Sequence, residues 1–487
     1  MDESAQTNRK LILLTGATGY IGSSLLKKLE HEEITVRCMV RRPKALAGRT
    51  GPSTEVVQGD VFDTDSLARA LKGVHTAYYL VHSLGGAGSF EVNDRRASSN
   101  FSAAARRAGV QKIIYLGGLG SSEAEKLSHH LASRQEVGAI LRASGVPTIE
   151  FRASVVIGSG SLSFEMVRAL VEKLPVMTTP RWVRALAQPI AIDDVVSYLF
   201  EALSLEIATN RVFEIGGGEK VSYEGIMREY ARIRGLPRLI IHLPFLTPWL
   251  SSLWLAFVTP LFFRVGRRLI EGVRNETVVR DGTARQLFSV EPMGITNAIS
   301  TALEKEDREF KTIRWADELS EKGHDVGHCI ARFKTRYVDS RFVQVACSAE
   351  RAFKPIGCIG GKNGWYSYNW LWSLRGLLDK LIGGVGFRRH RRDPESLALG
   401  DTVDFWRVDA FEENRLVRFA AEMKLPGRAW LQFEVDAENG RCRIRQTALY
   451  EPLGVSGFAY WYVLYPMHML IFKKMLEGIA ASTTERR

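Results

Sequence analysis

Cysteine is scarce and poorly spaced for metal or disulfide chemistry. Cys38, Cys329, Cys347, Cys358 and Cys442 are the only five in 487 residues, and no two form a C-x-x-C pair. That excludes a zinc ribbon or a disulfide framework and fits a reducing cytoplasm. Met1-Asp2-Glu3-Ser4 has no basic and apolar leader pattern, so a cytoplasmic setting is expected. No internal repeat or low-complexity tract occurs. Long apolar runs are also lacking in a usable form. Leu239 to Phe263 has no charged residue when His242 is neutral, but Pro244, Pro248 and Pro260 interrupt it. Its longest unbroken piece, Trp249 to Thr259, would reach about 16 Å as a helix, against roughly 30 Å of hydrocarbon. Two readings stay open for it. One is a buried core helix. The other is a peripheral contact at the inner face of the membrane, with Trp249, Trp254 and Phe257 beside Arg264, Arg267 and Arg268.

The rest of the composition is ordinary. Hydrophobic residues are 45% and charged residues 25%, as in globular proteins, and the length implies two or three domains. A net charge of +12 suits anionic cofactors, nucleic acid or lipid headgroups. The densest basic run, Arg388-Arg389-His390-Arg391-Arg392, has no nucleic-acid motif around it, and no nucleic-acid partner is expected.

The most informative stretch is Thr15-Gly16-Ala17-Thr18-Gly19-Tyr20-Ile21-Gly22. It follows the apolar run Leu11-Ile12-Leu13-Leu14 and opens into Ser23-Ser24-Leu25-Leu26-Lys27-Lys28-Leu29, which has helical spacing. Strand, glycine turn, helix is the order of a dinucleotide site. The first glycine permits the tight turn, the second a close approach of pyrophosphate, the third close packing of helix on strand. Open amides and the helix dipole favour a phosphate there. Gly16, Thr18, Gly19, Tyr20, Ile21 and Gly22 are therefore cofactor candidates.

The second strand, Ile34 to Val40, ends in Arg41-Arg42. An acid at this position favours NAD(H). Two guanidinium forks suit a 2′-phosphate instead, so NADP(H) is preferred and NAD(H) is second. The third strand closes at Gln58-Gly59-Asp60-Val61, beside the expected adenine; Asp60 either binds it or caps the helix from Thr64. The fourth, Ala77 to Val81, ends at His82-Ser83 with a glycine loop (Gly85, Gly86, Gly88), which puts His82 near the nicotinamide half.

Strands and helices alternate from Lys10 to about Ile157, with examples at helix 97–108 and strand 112–116. Alternation of this kind means a doubly wound parallel α/β sheet. A substrate lobe containing Arg152 and Gln188 follows. The expected organisation is residues 1–305 as Rossmann domain with lobe, 306–335 as linker, and 336–487 as an α+β antiparallel domain. In that last part the strands Val403–Val408, Arg415–Leu425, Arg428–Val435 and Arg441–Leu449 precede an apolar segment, Phe458 to Leu476, of helical length. Pro466 argues against a straight spanning helix. Trp365, Tyr366, Tyr368, Trp370 and Trp372 read either as core or as the lining of a cavity.

The glycine turn, Tyr79-Leu80-Val81-His82-Ser83, Tyr115-Leu116-Gly117-Gly118-Leu119-Gly120, Phe151-Arg152-Ala153-Ser154 and Phe213-Glu214-Ile215-Gly216-Gly217 resemble an atypical or extended short-chain dehydrogenase/reductase. NmrA-like proteins and the NAD(P)-binding accessory subunit of respiratory complex I are similar. Gly364-Trp365-Tyr366 and Asp404-Phe405-Trp406-Arg407-Val408 resemble the uncharacterised domain fused to such bacterial proteins, itself similar to the helix-grip (START or polyketide-cyclase-like) fold that encloses apolar ligands.

The resemblance implies Tyr-x-x-x-Lys on the helix after the fifth strand. This chain has His130 and Arg134 there. Positions i and i+4 share a helix face, so the pair keeps its geometry and changes its chemistry. In one reading His130 is a general acid, with Arg134 on the ribose and His129 as the alternative proton carrier. In the other, the pair only binds cofactor. The corresponding functions are an NADPH-dependent reductase of a carbonyl or quinone-like group on a hydrophobic small molecule, or a non-catalytic NADP(H)-sensing or assembly protein that presents its C-terminal domain to a partner or membrane.

Overall fold

The structure is a computed structural model and describes residues 10–82, 90–120, 127–242, 275–313, 315, 328–333, 335–361, 363–386, 391–438 and 440–484. The chain divides into two compact units, Met1–Val171 with Val176–Glu306, and Glu172–Pro175 with Asp307–Arg487. The division falls inside the helix Ile295–Thr312.

The first unit is built on strands β1 (Ile12–Thr15), β2 (Val36–Val40), β3 (Thr54–Gln58), β4 (Thr76–Tyr79), β5 (Lys112–Gly118), β6 (Thr148–Ala153) and β7 (Arg211–Ile215). Their order across the sheet is β7-β6-β5-β4-β1-β2-β3, and every pairing is parallel. Such strands are buried on both faces and read as apolar runs. Leu14 and Leu13 show why: successive residues point to opposite faces. Leu14 meets Leu25, Leu26 and Leu29 of helix α1 (Tyr20–His31). Leu13 joins Phe101, Val137 and Leu141 from α3 (Phe90–Arg107) and α4 (His129–Arg142). The reversal of strand order lies between β1 and β4, where a crevice opens at the strand ends.

Helix starts follow from caps. The side chain of Asp63 accepts the amides of Asp65 and Ser66 at the head of α2 (Thr64–Leu71). Ser128 accepts the Leu131 amide at the head of α4. Helix α3 begins seven residues earlier than the expected 97, because Phe90, Asp94, Ala97 and Phe101 share its buried face. Helices α5 (Leu162–Lys173), α6 (Ile192–Glu201) and α7 (Tyr223–Ile233) and three short two-stranded pairings complete the lobe. Leu239–His242, the head of the long uncharged stretch, is a strand paired with Val176–Thr179. Residues 243–274, which hold the rest of that stretch with Arg264, Arg267 and Arg268, lie outside the described residues.

The second unit is a seven-stranded sheet in the order 328–333, 336–345, 441–452, 427–438, 416–421, 406–412, 402–403, antiparallel throughout. Three of the four expected strands are present; the expected strand Val403–Val408 is instead a hairpin, in which 402–403 pairs antiparallel with 406–412 and Asp404 takes φ +55° at the turn. The expected C-terminal helix is longer, Gly454–Ser482, and runs through Pro466. Trp365, Trp372, Phe405, Phe419, Phe433 and Met475 lie in its main core. The stretch read as a linker contributes Phe310 and Trp315 to a smaller core with Cys329, Val338, Trp430 and Leu449. Among the described residues no helix is long and apolar enough to cross a membrane.

Candidate functional site

The glycine turn between β1 and α1 is sterically committed. Gly16 has φ +76°, and a Cβ there would lie 2.6 Å from the Leu80 carbonyl oxygen. A Cβ at Gly22 would lie 2.2 Å from the Gly16 oxygen. Both neighbours are backbone, which has no rotamer to move. The Gly19 amide donates to the Gly16 oxygen at 2.8 Å, and Gly19 stands at the head of α1 with no side chain capping it. A helix start without a side-chain cap, in a cradle only glycine fits, has the form that receives a phosphate. The residues present therefore fit a dinucleotide.

A cavity of about 420 Å³ opens over this turn. Gly16, Gly19, Tyr20, Ile21 and Gly22 line one side, and His82, His130 and Arg134 another. Leu162, Met166, Val155 and Tyr223 of the lobe supply an apolar wall. Eight of the residues predicted from sequence are thus brought together from three segments.

The polar groups in the cavity are held in place. His82 Nδ1 lies 2.9 Å from an Asp94 carboxylate oxygen, and the Ser133 hydroxyl donates to the same oxygen at 3.3 Å. Asp94 is buried, so the acceptor fixes the tautomer of His82 with the proton on Nδ1. The rings of His82 and His130 stand 5.1 Å apart. The Arg134 guanidinium donates to the Leu116 carbonyl and lies over the Tyr115 ring at 5.0 Å. Burial pushes the Tyr115 phenol up to about 12, and its hydroxyl donates to the Arg134 carbonyl at 2.8 Å. Tyr115 therefore stays protonated at neutral pH and acts as a prop. Deeper in, the hydroxyls of Ser154 and Thr277 bond at 2.8 Å.

Other predicted residues lie elsewhere. Thr18, Arg41, Arg42, Asp60 and Val61 do not line the cavity. Arg41 and Arg42 are exposed just past the end of β2. The Asp60 carboxylate accepts the Phe62 amide, and the helix cap it was weighed for is Asp63. Val61 is a core side chain. His129 is exposed, with Glu91 at 3.6 Å, so α4 offers His130 to the cavity. Arg152 pairs at 2.7 Å with Glu150, which also holds Arg142. Gln188 is tied to the Gly217 carbonyl and the Val279 amide. Both are structural, because buried polar groups bond wherever the backbone leaves partners. Ser83, the loop glycines 85, 86 and 88, and Ser121 and Ser122 lie outside the described residues. Sequence reading missed Asp94, whose signal was an acid at helical spacing from the apolar Phe90, Ala97 and Phe101.

Comparison with known proteins agrees with this geometry. Residues 16–156 match a family model described as NAD(P)H-binding, and residues 333–475 match a protein of unknown function, DUF2867. A (4-alkanoyl-5-oxo-2,5-dihydrofuran-3-yl)methyl phosphate reductase of Streptomyces griseus is 29% identical over 47% of this chain and 75% of its own length. A 3 beta-hydroxysteroid dehydrogenase/Delta 5-->4-isomerase of Mycobacterium tuberculosis is 34% identical, over only 23% of this chain and 33% of the relative. The Citrobacter triphenylmethane reductase complexed with NADP(H) aligns in structure with a TM-score of 0.50 at 16% identity, over 60% of this chain and all of that one; it shares the fold. Residues 16–156 of the N-terminal unit thus match an NAD(P)H-binding model on a Rossmann-like sheet, and residues 333–475 of the second unit match DUF2867.

Proposed function

We propose that the first unit is a reductase that uses NADPH on a carbonyl or quinone-like group of a hydrophobic small molecule. The observation that carries the reading is the meeting of the glycine cradle, the His82–His130 pair and an apolar wall in one cavity. The printed names of the two relatives, a reductase of an alkanoyl compound and a steroid dehydrogenase, support an apolar substrate. NADPH supplies hydride when bound; Gly16, Gly19 and Gly22 would hold its pyrophosphate, and Arg41 with Arg42 its 2′-phosphate.

The chain's own work is positioning and proton supply. Arg134, fixed by Leu116 and Tyr115, presents a permanent cation to the ribose side of the cavity. His130 delivers a proton to the substrate oxygen. His82, its Nδ1 proton held on Asp94, takes a second proton from water at Nε2 and passes that one to His130, returning to the neutral Nδ1–H form. The apolar lobe excludes water from the transfer.

Stopped-flow oxidation of NADPH with a panel of long-chain aldehydes, cyclic ketones and quinones tests this. At least one compound is turned over by the native protein. With that compound, His130→Phe lowers turnover by about 100-fold and leaves nucleotide affinity within about threefold. Unchanged turnover would remove His130 from the mechanism; no oxidation across the panel counts against the reductase.

A further inference from the structure

Helix 369–381 of the second unit is amphipathic with its apolar face outward. Trp370, Leu374, Leu377, Leu378 and Leu381 recur at i, i+4, i+7, i+8 and i+11, one helical stripe, and all five are exposed, Trp370 by 64% and Leu381 by 74%. The opposite face buries Trp372, Gly376 and Asp379. Asp379 is fully buried and accepts the amides of Gly386 at 2.9 Å and Lys424 at 2.7 Å. The helix is therefore locked in this orientation by satisfied hydrogen bonds, with its one acid turned in.

A second helix behaves likewise. In Gly454–Ser482 the side chains of Tyr462, Val463, Met467 and Leu470 are exposed, Val463 by 75%, while Trp461, Phe472 and Met475 face the core. Arg375 ties the two helices, bonding the Tyr460 side chain of one and, from the other, the Lys424 carbonyl beside its end. Exposed apolar surface on this scale marks a contact surface.

Charge selects the partner. From Asn369 to Arg392 the only acid is the buried Asp379, and from Gly454 to Leu476 there is none. Exposed Lys380 follows one stripe, and exposed Lys473 and Lys474 follow the other. Lys424 donates to the Ile382 carbonyl at the helix end. Lys474 is paired with Glu477 at 2.8 Å, at the far end of its helix; a second copy of the chain would set the remaining cations, Lys380 and Lys473, against each other, with no carboxylate within either apolar stripe. Anionic lipid headgroups complement them, and the apolar stripes match the acyl boundary beneath, with Trp370 at the polar interface. Neither helix is long and apolar enough to cross.

We propose that the outward stripes of helices 369–381 and 454–482 seat the second unit on the surface of an anionic bilayer without spanning it. The test is flotation of the full chain with vesicles of phosphatidylcholine alone, or with about a third phosphatidylglycerol. The expected result is at least about tenfold more bound protein on the anionic vesicles. Leu374→Glu with Leu378→Glu, and separately Val463→Glu with Leu470→Glu, reduce binding to the neutral level at unchanged Tm, since these side chains fill no core. Tryptophan fluorescence of the unmodified protein provides a readout independent of variant folding: brominated lipid quenches it, and Trp370→Phe removes much of the quenching. No flotation, no quenching, or glutamate variants that bind as well as the native protein would overturn the proposal. So would a dimer that the glutamates dissociate while vesicles bind nothing.

Discussion

The two units place their informative residues in opposite ways. In the first, the site is made where side chains are missing: three glycines bring backbone against backbone and leave a helix start open. In the second, the unusual surface is made where large side chains are in excess, carried outward on helices whose apolar stripes hold no acid. A missing side chain has one geometric consequence, so it can be read locally. An apolar side chain has two, inside or outside, and only the tertiary structure chooses between them. Trp372 stacks on Trp365 at 4.8 Å in the core, while Trp370, two residues away, faces out.

The largest effect expected from that contrast is on stability. Trp372→Ala destabilises the second unit by about 3–5 kcal/mol in urea unfolding, whereas Trp370→Ala stays within about 0.5 kcal/mol. Equal effects would break the assignment of inside and outside. The next is a pH effect confined to the second unit. Burial pushes the His468 imidazole down to about 4, between Asp339 and Arg375. The unfolded chain takes up this proton near 6.5 and the folded chain near 4. The unfolded state therefore binds more protons across that window, and stability falls as pH drops through it. The loss is complete below the folded value at about 3 kcal/mol and absent well above pH 6.5. Unfolding titrations of the native protein against His468→Leu isolate it as a difference, which should vanish at neutral pH.

Two smaller effects sharpen the first side of the comparison. Gly22→Ala puts a Cβ against the Gly16 carbonyl and should weaken NADPH binding by about 100-fold, or about 2.7 kcal/mol, by calorimetry. The unfolding transition of the second unit should not move. Arg41→Ala with Arg42→Ala should reduce the preference for NADPH over NADH by about tenfold, with NADH affinity little changed. An unaltered ratio would take the 2′-phosphate away from these arginines.

Much of the first unit was legible because its signals are short-range. The glycine turn, the alternation of strands and helices, and the shared face of His130 and Arg134 each rest on spacings of a few residues. The signals that failed were longer in range. Asp94 was passed over because the expected helix began at Ala97, whereas α3 starts at Phe90 and packs the carboxylate against His82. Arg152 and Gln188 marked the expected substrate lobe, but nothing in the sequence says that Glu150, Gly217 and Val279 hold them. In the second unit three strands were readable from alternation and turns, while the turn at Asp404-Phe405 was hidden inside an apolar run and strands 328–333 and 336–345 were passed over. The fate of Pro466 was not, since the helix carries it on an exposed face, where a missing amide bond can be met by solvent.

Helix α4 holds one more consequence. His130, Arg134 and Gly138 follow one another at i, i+4 and i+8, and a Cβ at Gly138 would stand 2.5 Å from the Glu150 carboxylate. That acid is itself clamped by Arg142 and Arg152. The helix is thus keyed two turns away from its cavity-facing end: the empty place at 138 seats on a fixed anion and sets the roll of the whole cylinder. The aim of the imidazole is decided by a carboxylate that never meets the nucleotide.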